Sequence, residues 1–143
     1  MTFHAKSFSE LSTTELYEIV RSRTEIFLLE QHIICQDFDG IDYDALHCFL
    51  WENGRAVAYL RAFPHGEDEI KIGRVLSLAH GVGLGTDLMQ KSLLEIQKKW
   101  PHKKIVLHAQ SHAKGFYERL GFAVASDEFL EEGVRHVEMA LPK

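Results

Sequence analysis

The stretch Arg74-Val-Leu-Ser-Leu-Ala-His-Gly-Val-Gly-Leu-Gly-Thr86 reads as the end of a strand, a short glycine loop and the start of a helix. Gly81, Gly83 and Gly85 alternate at the handover. Backbone N–H groups with no side chains in front of them, at a helix N-terminus, make a site for a phosphate or pyrophosphate. This is not a P-loop, because Leu84-Gly85-Thr86 offers no lysine. Nor is it a dinucleotide fingerprint, which needs G-x-G-x-x-G after the first strand of a βαβ unit; here G-x-G-x-G follows a meander. On this motif alone, a structural loop without a ligand stays open.

That meander is read from three strand-like runs, Cys48 to Trp51, Val57 to Phe63 and Ile70 to Ser77. Asn53-Gly54, a strong hairpin signal, joins the first two, and Pro64 to Asp68 supplies the next turn. Upstream, Thr2 to Phe8 is a short strand. Ser12-Thr-Thr-Glu15 is a capping box opening a helix whose apolar positions are Leu16, Ile19, Val20, Ile26 and Phe27. Arg23 interrupts that face and reads as a snorkelling edge residue, with a site role as the alternative. Gln36 to Asp44 is acidic and irregular; Asp37, Asp39 and Asp42 lack the EF-hand spacing and closing Glu, so the stretch reads as a solvated or substrate-facing loop.

Downstream, Leu84, Leu88, Met89, Leu93, Ile96 and Trp100 share one helical face, which marks them as core. Pro101 ends that helix, Lys104 to Ala109 forms a buried strand, and His112 to Leu120 a short helix stopped by Gly121. Phe122 to Ala125 and Val134 to Leu141 complete the strands, with a turn at Glu131-Glu-Gly133. No repeat or linker interrupts the 143 residues, so one domain spanning 1–143 is expected.

The composition, 45% hydrophobic and 26% charged, is that of an ordinary globular protein. A formal net charge of −5 argues against nonspecific binding to nucleic acid or an anionic membrane. Cys35 and Cys48 are too few for a disulfide framework and read as reduced thiols. With no signal-type leader and no apolar run near the roughly 20 residues of a membrane helix, a soluble, cytoplasmic protein is expected. His108 and His112 straddle a strand-to-helix junction without cysteine support or an H-E-x-x-H pattern, so no metal is expected.

A second segment narrows the reading of the glycine loop. Gln110-Ser-His-Ala113 leads into Phe116-Tyr117 and then Gly121-Phe122. The Tyr117 phenol can donate a proton or a hydrogen bond, or simply be a satisfied core hydroxyl.

Taken in order (strand, glycine loop, helix, strand, helix with Phe-Tyr, Gly-Phe), nearly the whole chain resembles the GNAT superfamily of acyl-coenzyme A-dependent N-acyltransferases. Phe27-Leu-Leu-Glu30-Gln31, Gln36-Asp37-Phe-Asp39-Gly, His47, Ile72-Gly73-Arg74-Val75 and Ala109-Gln110-Ser-His112 look closer still to its ElaA-like branch. The resemblance implies an α/β (α+β) fold with a mixed, mainly antiparallel sheet of six to seven strands flanked by helices. It implies acetyl-coenzyme A as acyl donor, with Gly81, Val82, Gly83, Leu84, Gly85 and Thr86 at its pyrophosphate. The backbone of Leu76 and Ser77 would lie along the acetyl and pantetheine groups. Gln110, Ala113, Phe116 and Tyr117 match the family's Asn-x-x-Ala-x-x-Phe-Tyr motif, with Tyr117 as general acid. The acceptor would be a primary amine of a small molecule or peptide, and a homodimer is a common arrangement in relatives. A non-catalytic acyl-coenzyme A-binding sensor is the alternative.

Two positions depart from the pattern. His80 stands where the superfamily has Arg or Gln, and an imidazole gives the phosphates less than a guanidinium. Gln110 replaces the commoner Asn. For the base that must free the amine lone pair, Glu30, Asp37, His47, His108 and His112 are unranked candidates. The acidic stretch 36–44 and helix 12–30 are expected to border the acceptor, since the cofactor motifs lie in the other half.

Overall fold

The structure is a computed structural model and describes residues 1–142. Strands β1 (Thr2–Ser7), β2 (Leu46–Glu52), β3 (Arg55–His65) and β4 (Glu69–Ser77) form an antiparallel meander. Asn53 and Gly54 both take positive φ at the β2–β3 turn, as a two-residue hairpin loop demands. The next turn is shorter than the expected Pro64–Asp68, because the ladder runs on to His65 opposite Glu69. Pro64 is accommodated because β3 outruns β2 beyond Ala62, so no N–H is needed on that side.

After β4 the chain crosses over through α2 (Leu84–Lys99) and returns as β5 (Lys104–Gln110), which pairs parallel to β4. A 3₁₀ turn (Ser111–Ala113) and α3 (Lys114–Arg119) follow, then β6 (Ala123–Val124), β7 (Phe129–Glu131) and β8 (Val134–Leu141). Strand order is β1-β2-β3-β4-β5-β8-β6, with β7 also paired to β8. Among the described residues eight strands therefore join one mixed sheet, against the six to seven expected. The extra strand is β7, three residues whose ladder partners lie just across the Glu132-Gly133 turn.

Helices cover both faces. On one, Leu88, Met89 and Ile96 of α2 and Tyr117 of α3 pack against Leu50, Leu60, Ile70, Ile72 and Leu107. Each such side chain contributes roughly 1.5–3 kcal/mol of hydrophobic stabilisation when fully buried. The other face carries α1 (Thr13–Arg23), capped as expected by Ser12 Oγ, which accepts from the Glu15 N–H at 3.0 Å. From Thr24 to Glu30 the helix widens into a π-helical turn. Ile19 and Ile26 from this segment bury against Phe49, Tyr59 and Leu76.

One irregularity in β4 positions the site. Tyr59 pairs with Leu76 but Arg61 with Gly73, so β4 carries one extra residue, with Arg74 at φ +54. Because side chains alternate across a sheet, one inserted residue exchanges the faces beyond it. Ile70 and Ile72 therefore point toward α2, whereas Leu76 joins the α1 core.

Candidate functional site

The parallel ladder between β4 and β5 stops at Ile72 opposite Leu107. Beyond it both strands continue without pairing to each other, β4 to Ser77 and β5 to Gln110. A cavity of about 540 Å³ opens there, at the C-terminal ends of two parallel strands joined by a helix. Ligands of open α/β sheets bind in such crevices. Its lining draws on both faces: Ile72, Leu107 and Tyr117 from the α2 side, and Arg61, Phe63, His108 and Gln110 from the other. Phe27 and Gln31, at and just after the π-helical turn, also reach it.

Tyr117 is 8% exposed. Burial pushes its phenol up to about 12, so it stays protonated at neutral pH. Phe116 meets it edge to face with ring centroids 5.0 Å apart. Phe116 also closes on the glycine segment, since a Cβ at Gly85 would lie 3.3 Å from its ring. The start of α2 and α3 thus pack closely at Gly85, where an added methyl would press on the Phe116 ring.

In the loop itself, Gly81 and Gly83 have φ of +76° and +82°, with Gly83 as N-cap of α2. Val82 and Thr86 are exposed, and Leu84 is half-buried at the head of the helix. None of residues 81–86 lines the cavity, and neither do Leu76 and Ser77; β4 meets it from Lys71 to Val75. The Leu76 side chain is core, and the Ser77 hydroxyl donates to the Ala79 carbonyl at 2.8 Å. Gln110 does line it, its amide donating to Gln31 Oε1 at 2.9 Å. His80, at the loop entrance, lies 3.1 Å from Glu30 on the exposed surface.

The acidic stretch is neither simply solvated nor metal-like. Arg23 is 1% exposed, not a snorkelling edge residue, and it is absent from the cavity lining. Its Nη1 donates to Asp42 at 2.8 Å, and its Nε and Nη2 reach the Asp37 carboxylate and carbonyl. Arg61, from the middle of β3, holds Asp39 through both terminal nitrogens and also reaches Asp42. Arg74, on the bulge, holds Asp37 at 2.9 Å. Burial pushes Asp39 up, but the Arg61 hydrogen bonds and charge outweigh it and bring the carboxyl down to about 2. Arg61 was not singled out in the sequence, and Arg74 only as part of a motif, with no partner assigned to it. Their signal was an arginine inside each of two strand-like runs, matched by three aspartates within six residues.

The base candidates separate. His47 is sealed between Tyr59 and the Asp42 carbonyl, and burial holds its imidazole below the ordinary value. Glu30 lies outside the cavity, and Asp37 is committed to two arginines. His108 and His112 line it, and with them Glu131, Glu132 and His136, which were not foreseen. Among the described residues no group of three or more His, Cys, Asp or Glu side chains is placed to hold a metal ion, and both cysteines are free. No helix among them is long and apolar enough to cross a membrane.

Comparison with known proteins agrees with this architecture. Protein ElaA of Escherichia coli (strain K12) is 36% identical over 138 residues, 92% of this chain and 90% of that one. The crystal structure of Escherichia coli ElaA superposes with a TM-score of 0.92 at 34% identity, covering 98% of this chain and 99% of that one. An acyl-CoA N-acyltransferase from Pseudomonas aeruginosa matches equally, with a TM-score of 0.92, 33% identity and the same coverage. The family described as acetyltransferase (GNAT) domain matches residues 26–143, and the chain belongs to that family.

Proposed function

We propose that this protein is an N-acetyltransferase that carries an acetyl group from acetyl-coenzyme A to a primary amine of a small molecule or peptide. The observation that carries the reading is the wedge between β4 and β5, lined by Tyr117 and the bulged strand, with the start of α2 packed beside it on Phe116, the neighbour of Tyr117. Family membership supports acyl transfer from an acyl-coenzyme A, and the similar Pseudomonas aeruginosa protein is described as an acyl-CoA N-acyltransferase.

The residues suit that donor. The backbone N–H groups from Gly81 to Gly85, at the start of a 16-residue helix, would take the pyrophosphate. The arm would run past Phe116 and Gln110, and the β4 backbone from Gly73 toward Leu76 and Ser77 would flank the thioester. An N–H there would polarise its carbonyl. The amine, held in the same cleft, attacks directly, and shared confinement removes much of the entropic barrier. Tyr117 would hydrogen-bond the departing sulfur and supply its proton, a role typically worth ~10²–10⁴-fold.

Thiol release from acetyl-coenzyme A across an amine panel tests the proposal. Turnover of at least one amine is expected, and Tyr117→Phe should lower kcat at least tenfold with coenzyme A affinity nearly unchanged. An undiminished rate would remove Tyr117 as the acid. Tight acetyl-coenzyme A binding with no amine acetylated would instead identify an acyl-coenzyme A sensor.

A further inference from the structure

The acceptor amine needs a base. A lysine-like amine, with pKa about 10.4, is an ammonium at neutral pH and cannot attack until it loses a proton. The cavity wall formed by β5, β7 and β8 holds an arrangement suited to this and otherwise unused. His108 Nδ1 lies 2.8 Å from Glu131 Oε1. A carboxylate only accepts, so Nδ1 carries the hydrogen and Nε2 the lone pair. Glu138 Oε1 is 3.8 Å from Nε2, beyond hydrogen-bonding distance. The Phe129 ring stands edge-on to the imidazole at 5.1 Å and fixes its plane.

His136 sharpens the assignment. Its Nδ1 is 2.7 Å from the Val134 carbonyl and must donate there, so a neutral His136 turns its lone pair toward Glu131, 3.7 Å away. The firm hydrogen-bond donor to the Glu131 side chain is therefore His108. The rival candidates lack this geometry: Asp37 is bound by Arg23 and Arg74, and His112 is exposed with no positioning partner among the described residues.

We propose that His108 is the general base for the acceptor amine and that Glu131 is its positioning residue; this rests on the transferase reading above. The ammonium gives one proton to His108 Nε2, and the imidazolium formed stays paired with Glu131. The freed nitrogen lone pair forms the C–N bond to the thioester carbonyl carbon, and the C–S bond breaks with its electrons on sulfur. Tyr117 protonates that sulfur and regains a proton from the nitrogen as the amide forms. His108 then releases its proton to solvent, the single proton the overall reaction produces.

The test combines kinetics with a direct view of the ring. For the amine of the panel that wild type acetylates fastest, His108→Asn should lower kcat/KM about 10²-fold at pH 7. The deficit should shrink above pH 10, where the amine sheds its own proton, and acetyl-coenzyme A binding should not change. Glu131→Gln should lower kcat about tenfold and displace the acidic limb of the pH–rate profile. The charged and titratable groups that share this wall and shape that limb are Glu131, Glu132, Glu138, His112, His136 and Lys71. In parallel, nitrogen-15 shifts of the His108 ring should report the Nδ1–H tautomer in wild type and a mixture in Glu131→Gln. An Nε2–H tautomer in wild type, or undiminished turnover in His108→Asn, overturns the base assignment and leaves the transferase reading standing. A wild type that acetylates no amine overturns both.

Discussion

Between Gly81 and Gly85 the chain presents bare backbone at the start of α2, outside the cavity lining, in one short run of sequence. On the side of β3 and β4 it uses charged side chains from four separate places: Arg61 on β3, Arg74 on the bulge of β4 and the aspartates of the 37–42 loop, with Arg23 on α1 behind them, outside the cavity lining. The first wall is exposed and needs little support beyond positive φ at Gly81 and Gly83 and the contact of Gly85 with Phe116. The second is buried at Arg23 and Arg61, and each of its three aspartates is shared between two arginines. A loop that binds through its own N–H groups can be written locally, whereas a wall of paired charges must be assembled by the whole fold.

The sharpest way to break this contrast is to remove one buried arginine. Arg23→Met keeps the volume and leaves Asp37 and Asp42 each short of a cation. Breaking a buried pair on one side typically costs ~3–5 kcal/mol. Urea unfolding should show a loss of that size. On the glycine wall, Gly83→Ala should cost only about 1–2 kcal/mol, the penalty for a side chain in left-handed backbone. A loss under about 1 kcal/mol in Arg23→Met would reduce the network to an ordinary surface ion pair.

The same contrast explains what could be read from the chain beforehand. The hairpin at Asn53-Gly54, the Ser12 capping box, the α2 stripe and the Gly121 stop are signals a few residues long, and each lies where its pattern places it. β7 escaped because three residues carry too little alternation to register as a strand. Arg23 was misread because a charge on an apolar helix face looks like an edge residue until its partners, 14 and 19 positions away, are known. The bulge at Arg74 was invisible for a related reason. Only the ladder with β3 shows that β4 has a residue too many, and that shift decides that Leu76 is core while Val75 lines the cavity. Of the proposed cofactor residues, the local motifs could be named in advance; which of them reach the cavity depended on where β4 and β5 part.

A ligand tests the glycine wall more directly. Acetyl-coenzyme A at about 100 times its Kd should stabilise wild type by ~2.7 kcal/mol. Gly83→Asp should abolish that gain in a thermal-melt assay, because its carboxylate would crowd and repel the pyrophosphate. The site has open space around a Cβ, and aspartate tolerates left-handed backbone better than most residues, so the variant should fold. A folded Gly83→Asp protein whose melting still rises with acetyl-coenzyme A would place the phosphates elsewhere.

The smallest expected effect lies in the acid stability of the charged wall, and its sign can be derived. His47 is kept neutral by burial, below its ordinary value. As pH falls below about 6.5, the unfolded chain takes up a proton that the folded chain still refuses, so stability begins to drop there. Asp39, at about 2 when folded, contributes stability that is complete above about 4 and is lost as pH falls toward 2, since only the unfolded carboxyl is protonated in that window. Asp42 is lowered too, and adds in the same direction. Stability against pH should therefore bend twice. His47→Gln should flatten the upper bend and Asp39→Asn the lower one, whatever each variant loses at neutral pH. A lower bend unchanged in Asp39→Asn would mean that the Arg61 pairing does not set the acid response, and the charged wall would then differ from the glycine wall in composition but not in what holds it.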